Sequence, residues 1–323
     1  MNVFIDTNVL LDFYRLSGGD LEELRRIAKL AQNGRITLLV SDYLRDEYCR
    51  NRENVIAQAI AQFRKSKVEL QLPNLVRVYS QSGALMKLKD EFLETTRELE
   101  KIVLNDIHDA SLKADTVINE FFASTKTHTV PKGTVNDGIG RNRLSKPPGK
   151  ADSCGDAIHW EWLLNLLPKG EDLIIVSGDG DFESSLHEDV LSQYLQDEWQ
   201  AKRSSNCTLY TSIALFLKAH FPDIHLADEV DKLCAIERLE TSPNFATTHN
   251  AIKKLQPLAD FKKEEISRLL TACISNSQIS LIIGDDDVRQ FVQKMVTLAH
   301  DAGLIDEAHP LETMLNELST KDS

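Results

Sequence analysis

Residues 2–13, Asn-Val-Phe-Ile-Asp-Thr-Asn-Val-Leu-Leu-Asp-Phe, set a short apolar run against an aspartate at position 6. A run of four ending in a carboxylate reads as a buried parallel strand whose carboxyl end points at a site. Working outward, Leu21, Leu24, Ile27, Ala28, Leu30 and Ala31 give helical spacing over 20–33, closed by Asn33-Gly34. Residues 36–40 (ITLLV) form a second strand, and Ser41 is placed to cap the helix that carries Asp46 and Glu47. Residues 173–177 (LIIVS) supply a third strand and 207–210 a fourth, which leads into the helix SIALFLKAH. Apolar, β-branched strands alternating with helices predict an α/β fold, a parallel sheet with helices on both faces.

In such a sheet the strands' carboxyl ends share one crevice. Asp6 follows the first strand, Glu47 sits one to two turns into the helix after the second, and Asp156 opens the helix GDAIHWEWLLNLL. Asp179 and Asp181 follow the third strand. Carboxylates gathered without Lys or His partners repel one another, and a hard divalent cation such as Mg²⁺ or Mn²⁺ is the usual remedy. Such a centre activates water and steadies a phosphoryl transition state, so the pattern predicts metal-dependent phosphodiester hydrolysis. Each acid also has a plainer reading: Asp6 as a helix cap, Asp156 as a first-turn acid favoured by the helix dipole, Asp179 and Asp181 as an acidic turn. Asp46 competes with Glu47 for the inward position, and Leu39-Val40 with Tyr43 and Leu44 favour Glu47.

Taken together, VFIDTNVLLDF at 3–13, Glu47, GDAIHW at 155–160 and IIVSGDGDF at 174–182 resemble the four acidic motifs of the PIN domain nucleases. The sub-type is similar to PIN-like toxin and defence ribonucleases of prokaryotes that carry a long helical insertion. The resemblance covers about 1–217 and implies a Rossmann-like parallel sheet, a metal site at its carboxyl edge and RNA as substrate. Asp6, Glu47, Asp156 and Asp179 would be the catalytic, metal-binding quartet, Asp181 a further ligand, and Asn8 a supporting hydrogen bond beside Asp6. The gap from Glu47 to Asp156 is longer than in compact PIN toxins, so an insertion at about 52–128 has to be looped out of the sheet.

Within that insertion two charge-laced helices are expected at 52–71 and 84–124, the second with one stripe from Leu85, Leu88, Phe92 and Leu99 to Val117 and Phe121. Residues 130–153, rich in Gly and Pro, read as a basic loop whose Lys132, Arg141, Arg143, Lys146 and Lys150 would grip a phosphate backbone. Of Trp160 and Trp162, one is expected in the core and the other is a candidate for stacking on a base. Residues 218–323 read as a small, mostly helical module for regulation, homo-oligomerisation or protein docking, with ISLII (279–283) as a lone strand. IIGDDDV at 282–288 mimics the fourth acidic motif but reads as a helix start.

The formal net charge of −13 argues against nucleic-acid binding by bulk charge, yet the halves differ. Residues 1–150 hold 23 basic against 20 acidic side chains, and residues 151–323 hold 14 against 30. Five scattered cysteines with no CxxC pair point to a reducing, cytoplasmic setting, and no apolar run reaches membrane-spanning length. The motifs of P-loop NTPases, α/β-hydrolases, zincins and EF-hands are absent from the sequence. Two alternatives stand beside the endoribonuclease: a non-catalytic PIN-like interaction protein and a structure-specific DNA nuclease.

Overall fold

The computed structural model describes residues 1–15, 20–65, 71–149 and 153–321, and the chain divides into two units, Met1–Asp223 and Ile224–Ser323. The first unit runs β1 (Asn2–Ile5), α1 (Thr7–Asp12), α2 (Leu21–Gln32), β2 (Thr37–Ser41), α3 (Asp42–Lys65), α4 (Asn74–Arg77), α5 (Ser80–His108) and α6 (Lys113–Ala123). It continues with β3 (Thr127–His128), α7 (Lys132–Arg143), α8 (Gly155–Leu166), β4 (Leu173–Val176), α9 (Gln193–Arg203), β5 (Cys207–Tyr210) and α10 (Ile213–His220). All five strands are parallel, in the order β3-β2-β1-β4-β5.

That order reverses direction between β1 and β4, which pair from Asn2 opposite Leu173 to Ile5 opposite Val176. A doubly wound sheet opens its ligand crevice at such a reversal, beyond the carboxyl ends of the two strands. Both strands are buried on both faces, as their unbroken apolar sequence requires. Across the centre lies α8, buried almost all round by Ala157, Ile158, Trp160, Trp162, Leu163 and Leu164. The two tryptophans are 0% and 2% exposed, so neither is offered to a base.

Four expectations are corrected. The span 130–153 is not a loop: residues 132–143 form α7, capped by Pro131. Its Gly138 serves close helix packing, since a Cβ there would lie 2.6 Å from Ile158 Cγ1. The span 84–124 is two helices, broken where Ala110 takes a positive φ of 50°. The shared stripe therefore splits: Val117 and Phe121 are buried while Leu85, Leu88, Phe92 and Leu99 are exposed. The insertion also returns to the sheet, because β3 pairs with Val40 and Ser41 at the edge.

The second unit is helical throughout its described residues: α11 (Ala227–Glu240), α12 (Phe245–Leu255), α13 (Lys263–Ser275), α14 (Ser277–Leu281), α15 (Asp286–Asp301) and α16 (Ile305–Lys321). ISLII is not a strand. Asn276 caps α14 by accepting from the Gln278 backbone N–H, and Ile279 is buried in a core with Leu270, Phe291 and Met295. A five-residue apolar run has no periodicity long enough to separate helix from strand. IIGDDDV does open a helix, with Asp285 at the N-cap of α15. The second unit begins at Ile224, shortly after α10 ends at His220.

Candidate metal centre

Asp6 stands at the N-cap of α1, yet its carboxylate makes no capping bond. It faces the crevice instead, where Ser177 Oγ donates to Oδ2 at 2.7 Å and Asn8 Nδ2 donates to the same oxygen at 2.9 Å. Ser177 directly follows β4, so the ends of the two central strands are tied together at the acid itself. Asn8 ties the neighbouring turn as well, accepting from the Gly178 backbone N–H at 3.3 Å. Burial holds Asp6 above the usual carboxylate range, against the opposing pull of His159 and the Ser177 hydroxyl.

Glu47 is the inward member of its pair, while Asp46 is exposed and bound to Arg50 at 2.7 Å. Ser41 caps α3 by accepting from the Leu44 N–H at 3.0 Å, which sets the face that Glu47 presents. Thr7 Oγ1 and His159 Nε2 both reach Glu47 Oε2 at 2.8 Å. Burial pushes Glu47 up, but the His159 hydrogen bond and charge and the Thr7 hydroxyl outweigh it, so the group sits below its ordinary value. Gly155 is moulded to this acid: a Cβ there would lie 2.6 Å from Oε1.

The remaining three acids form one group. Ligand atoms of Asp156, Asp179 and Asp181 all lie within 4.8 Å of one another, each residue half-buried. Burial, then the charge of Asp6 and the hydrogen bond and charge of Asp181, push Asp156 up to about 9. A carboxyl raised this far by burial and then by neighbouring carboxylates marks a place suited to positive charge. The all-oxygen donor set suits a hard divalent ion. Asp6 and Glu47 act on this trio through the charge they place on Asp156.

A family model described as the PIN domain matches residues 3–182, more than half of the chain. The chain belongs to the PIN domain family. No curated protein and no solved structure matches it. PIN domains are generally nucleases that act on nucleic acid and use divalent metals, and this PIN domain holds an acidic trio that suits such an ion.

Three side chains that bond the candidate acids are not singled out by the sequence reading. Thr7 follows Asp6 directly, His159 stands three residues after Asp156 on the same face of α8, and Ser177 is the last residue of LIIVS. The i, i+3 spacing of Asp156 and His159 was the available signal.

The basic side chains fare differently. Lys132, Arg143 and Lys146 are exposed on or just after α7, and Lys150 lies outside the described residues. Arg141 is corrected: its side chain is 2% exposed and locked between Glu161, at 2.7 Å, and Glu198, at 2.5 Å. Its Nε also donates to the Pro147 carbonyl at 2.6 Å, so it pins the segment after α7 and does not reach solvent. Among the described residues, no helix is long and apolar enough to cross a membrane.

Proposed function

We propose that this chain is a metal-dependent endoribonuclease that hydrolyses RNA phosphodiester bonds. The carrying observation is the Asp156, Asp179 and Asp181 cluster beside Asp6, in which Asp156 is driven to about 9. Asp6, Glu47, Asp156 and Asp179 would hold Mg²⁺ or Mn²⁺, with Asp181 as a further ligand. A bound ion of this kind supplies an acidified water and neutralises charge on the phosphoryl oxygens.

The chain's own groups do the rest. Ser177 and Asn8 fix the Asp6 carboxylate, so its ligand oxygen is set before substrate arrives. Thr7 and His159 occupy Glu47 Oε2, which leaves Oε1, packed against Gly155, as the oxygen it would offer to an ion. Lys132, Arg143 and Lys146 would contact the phosphate backbone and offset its repulsion from the acids. No aromatic side chain is available for base stacking at α8, which favours backbone recognition over base reading. Resemblance to toxin and defence ribonucleases supports a toxin or defence role, and five free thiols support a cytoplasmic setting.

The test is cleavage of a mixed single-stranded RNA pool with and without Mn²⁺, with matched DNA in parallel, for the parent and Asp6→Asn. Mn²⁺-dependent RNA cleavage that vanishes in the variant supports the reading. Equal cleavage by both proteins, or no metal dependence, refutes it; cleavage confined to DNA overturns the RNA assignment.

A further inference from the structure

Helix α5 is 29 residues long and contains no buried residue. It has two distinct sides. One, through Lys89, Leu93, Thr96, Glu100 and Val103, is half-covered, and Glu100 there is bonded to Arg64 of α3 at 2.7 Å. The other carries Leu85, Leu88, Phe92, Leu99 and Ile102, which are 44–61% exposed.

The open side has a specific spacing. Leu85, Phe92 and Leu99 recur every seven residues, with Leu88 and Ile102 three residues after the first and third. Thr95 fills the one remaining position of the seam. Apolar residues at alternating steps of three and four, sustained over nearly three heptads, make knobs that fit the holes of another helix with the same repeat. Helical stability in proteins comes mainly from packing such a face, and no described element covers this one.

We infer that this seam is a homodimer contact, α5 packing in parallel against α5 of a second copy. A second copy carries the required repeat in the required register, and a two-fold axis closes the contact. The charges flanking the seam choose the direction. In parallel register Ala84 faces Lys89, Glu91 faces Thr96 and Glu98 faces Val103, none of them like-charged pairs. An antiparallel pair that aligned the same apolar layers would set Glu91 against Glu98 twice. The seam stops at Ile102, because Asp106 takes the next position.

The size is adequate. Five half-exposed large side chains offer on the order of 500 Å² of apolar surface per copy. With the stems of flanking Lys and Glu, two copies approach the ~1,200 Å² of the smaller specific interfaces. The contact neither uses nor requires the acidic site, so it stands apart from the ribonuclease reading. It also moves oligomerisation away from residues 218–323, where the sequence suggested it.

Sedimentation velocity on the full chain, from about 1 to about 100 µM, tests the inference. The parent is expected to show a concentration-dependent dimer. Leu88→Glu and Leu99→Glu should each weaken it more than tenfold with an unchanged circular dichroism spectrum, since both positions are exposed. Thr95→Cys should form an intermolecular disulfide under mild oxidation that the parent does not form, because position 95 meets its own copy only in parallel register. A parent that stays monomeric to about 100 µM, or a dimer untouched by Leu88→Glu, overturns the inference. A dimer in which Thr95→Cys fails to cross-link overturns the parallel register.

Discussion

Asp156→Asn should make the metal-free protein more stable, by an amount that depends on pH. In the folded chain Asp156 is driven from 3.8 to about 9 by burial, by Asp6 and by Asp181. At pH 7 the folded protein must keep a proton that the unfolded chain has released. At about 1.4 kcal/mol per pH unit between the unfolded value and pH 7, this costs on the order of 4 kcal/mol. The penalty is absent below the unfolded value, grows as pH rises, and levels off near the folded one. Asparagine keeps the side chain's size, can donate to Asp181 and carries no charge, so it should recover about 2–4 kcal/mol at pH 7, or about 5–10 °C in melting temperature. Calorimetry in EDTA from pH 4 to pH 8.5 reads this directly: the curves should coincide near pH 4 and separate steadily above it. With saturating Mn²⁺ the order should reverse, because only the parent gains binding energy. A gap that does not change with pH, or a variant less stable than the parent at pH 8, would refute the reasoning.

Other consequences are independent of that titration. His159→Phe removes the donor that fixes Glu47 and should weaken Mn²⁺ binding about 10–100-fold, measured by electron paramagnetic resonance, with His159→Gln recovering part of it; unchanged affinity would mean that Glu47 needs no such support. Gly155→Ala places a Cβ 2.6 Å from Glu47 Oε1 and should lower metal affinity while leaving chemical-denaturation stability within about 1 kcal/mol. Arg141→Met takes the cation from Glu161, leaves Glu198 with Lys202 and Trp160 only, and should destabilise the fold by about 3 kcal/mol in urea melts. Arg143→Ala with Lys146→Ala should leave stability unchanged and flatten the salt dependence of RNA binding; an equal slope would remove them from the interface.

The sheet's centre is legible from sequence because β1 and β4 are apolar runs, with Asp6 directly after the first and Asp179 after Ser177 and Gly178 beyond the second. Glu47 is separable from Asp46 because helix geometry places it on the face shared with Leu44. β3 is not legible: two residues, Thr127 and His128, carry no periodicity, and only pairing with Val40 and Ser41 makes them a strand. Gly138 of α7 looks like a loop residue until Ile158 is seen against it. Arg141 resembles its exposed neighbours in composition, and its burial follows from Glu198 on α9, 57 residues away. Ser177 and His159 carry no signal of their own for a related reason, since each is defined by a partner far away in sequence, Asp6 and Glu47.

Anomalous diffraction from crystals soaked in Mn²⁺ tests the central claim most directly. The account predicts a manganese peak within coordinating distance of the Asp156, Asp179 and Asp181 carboxylates, beside Asp6, that disappears in Asp156→Asn. Saturating Mn²⁺ with no peak in that crevice, or a peak unaffected by the substitution, would contradict it.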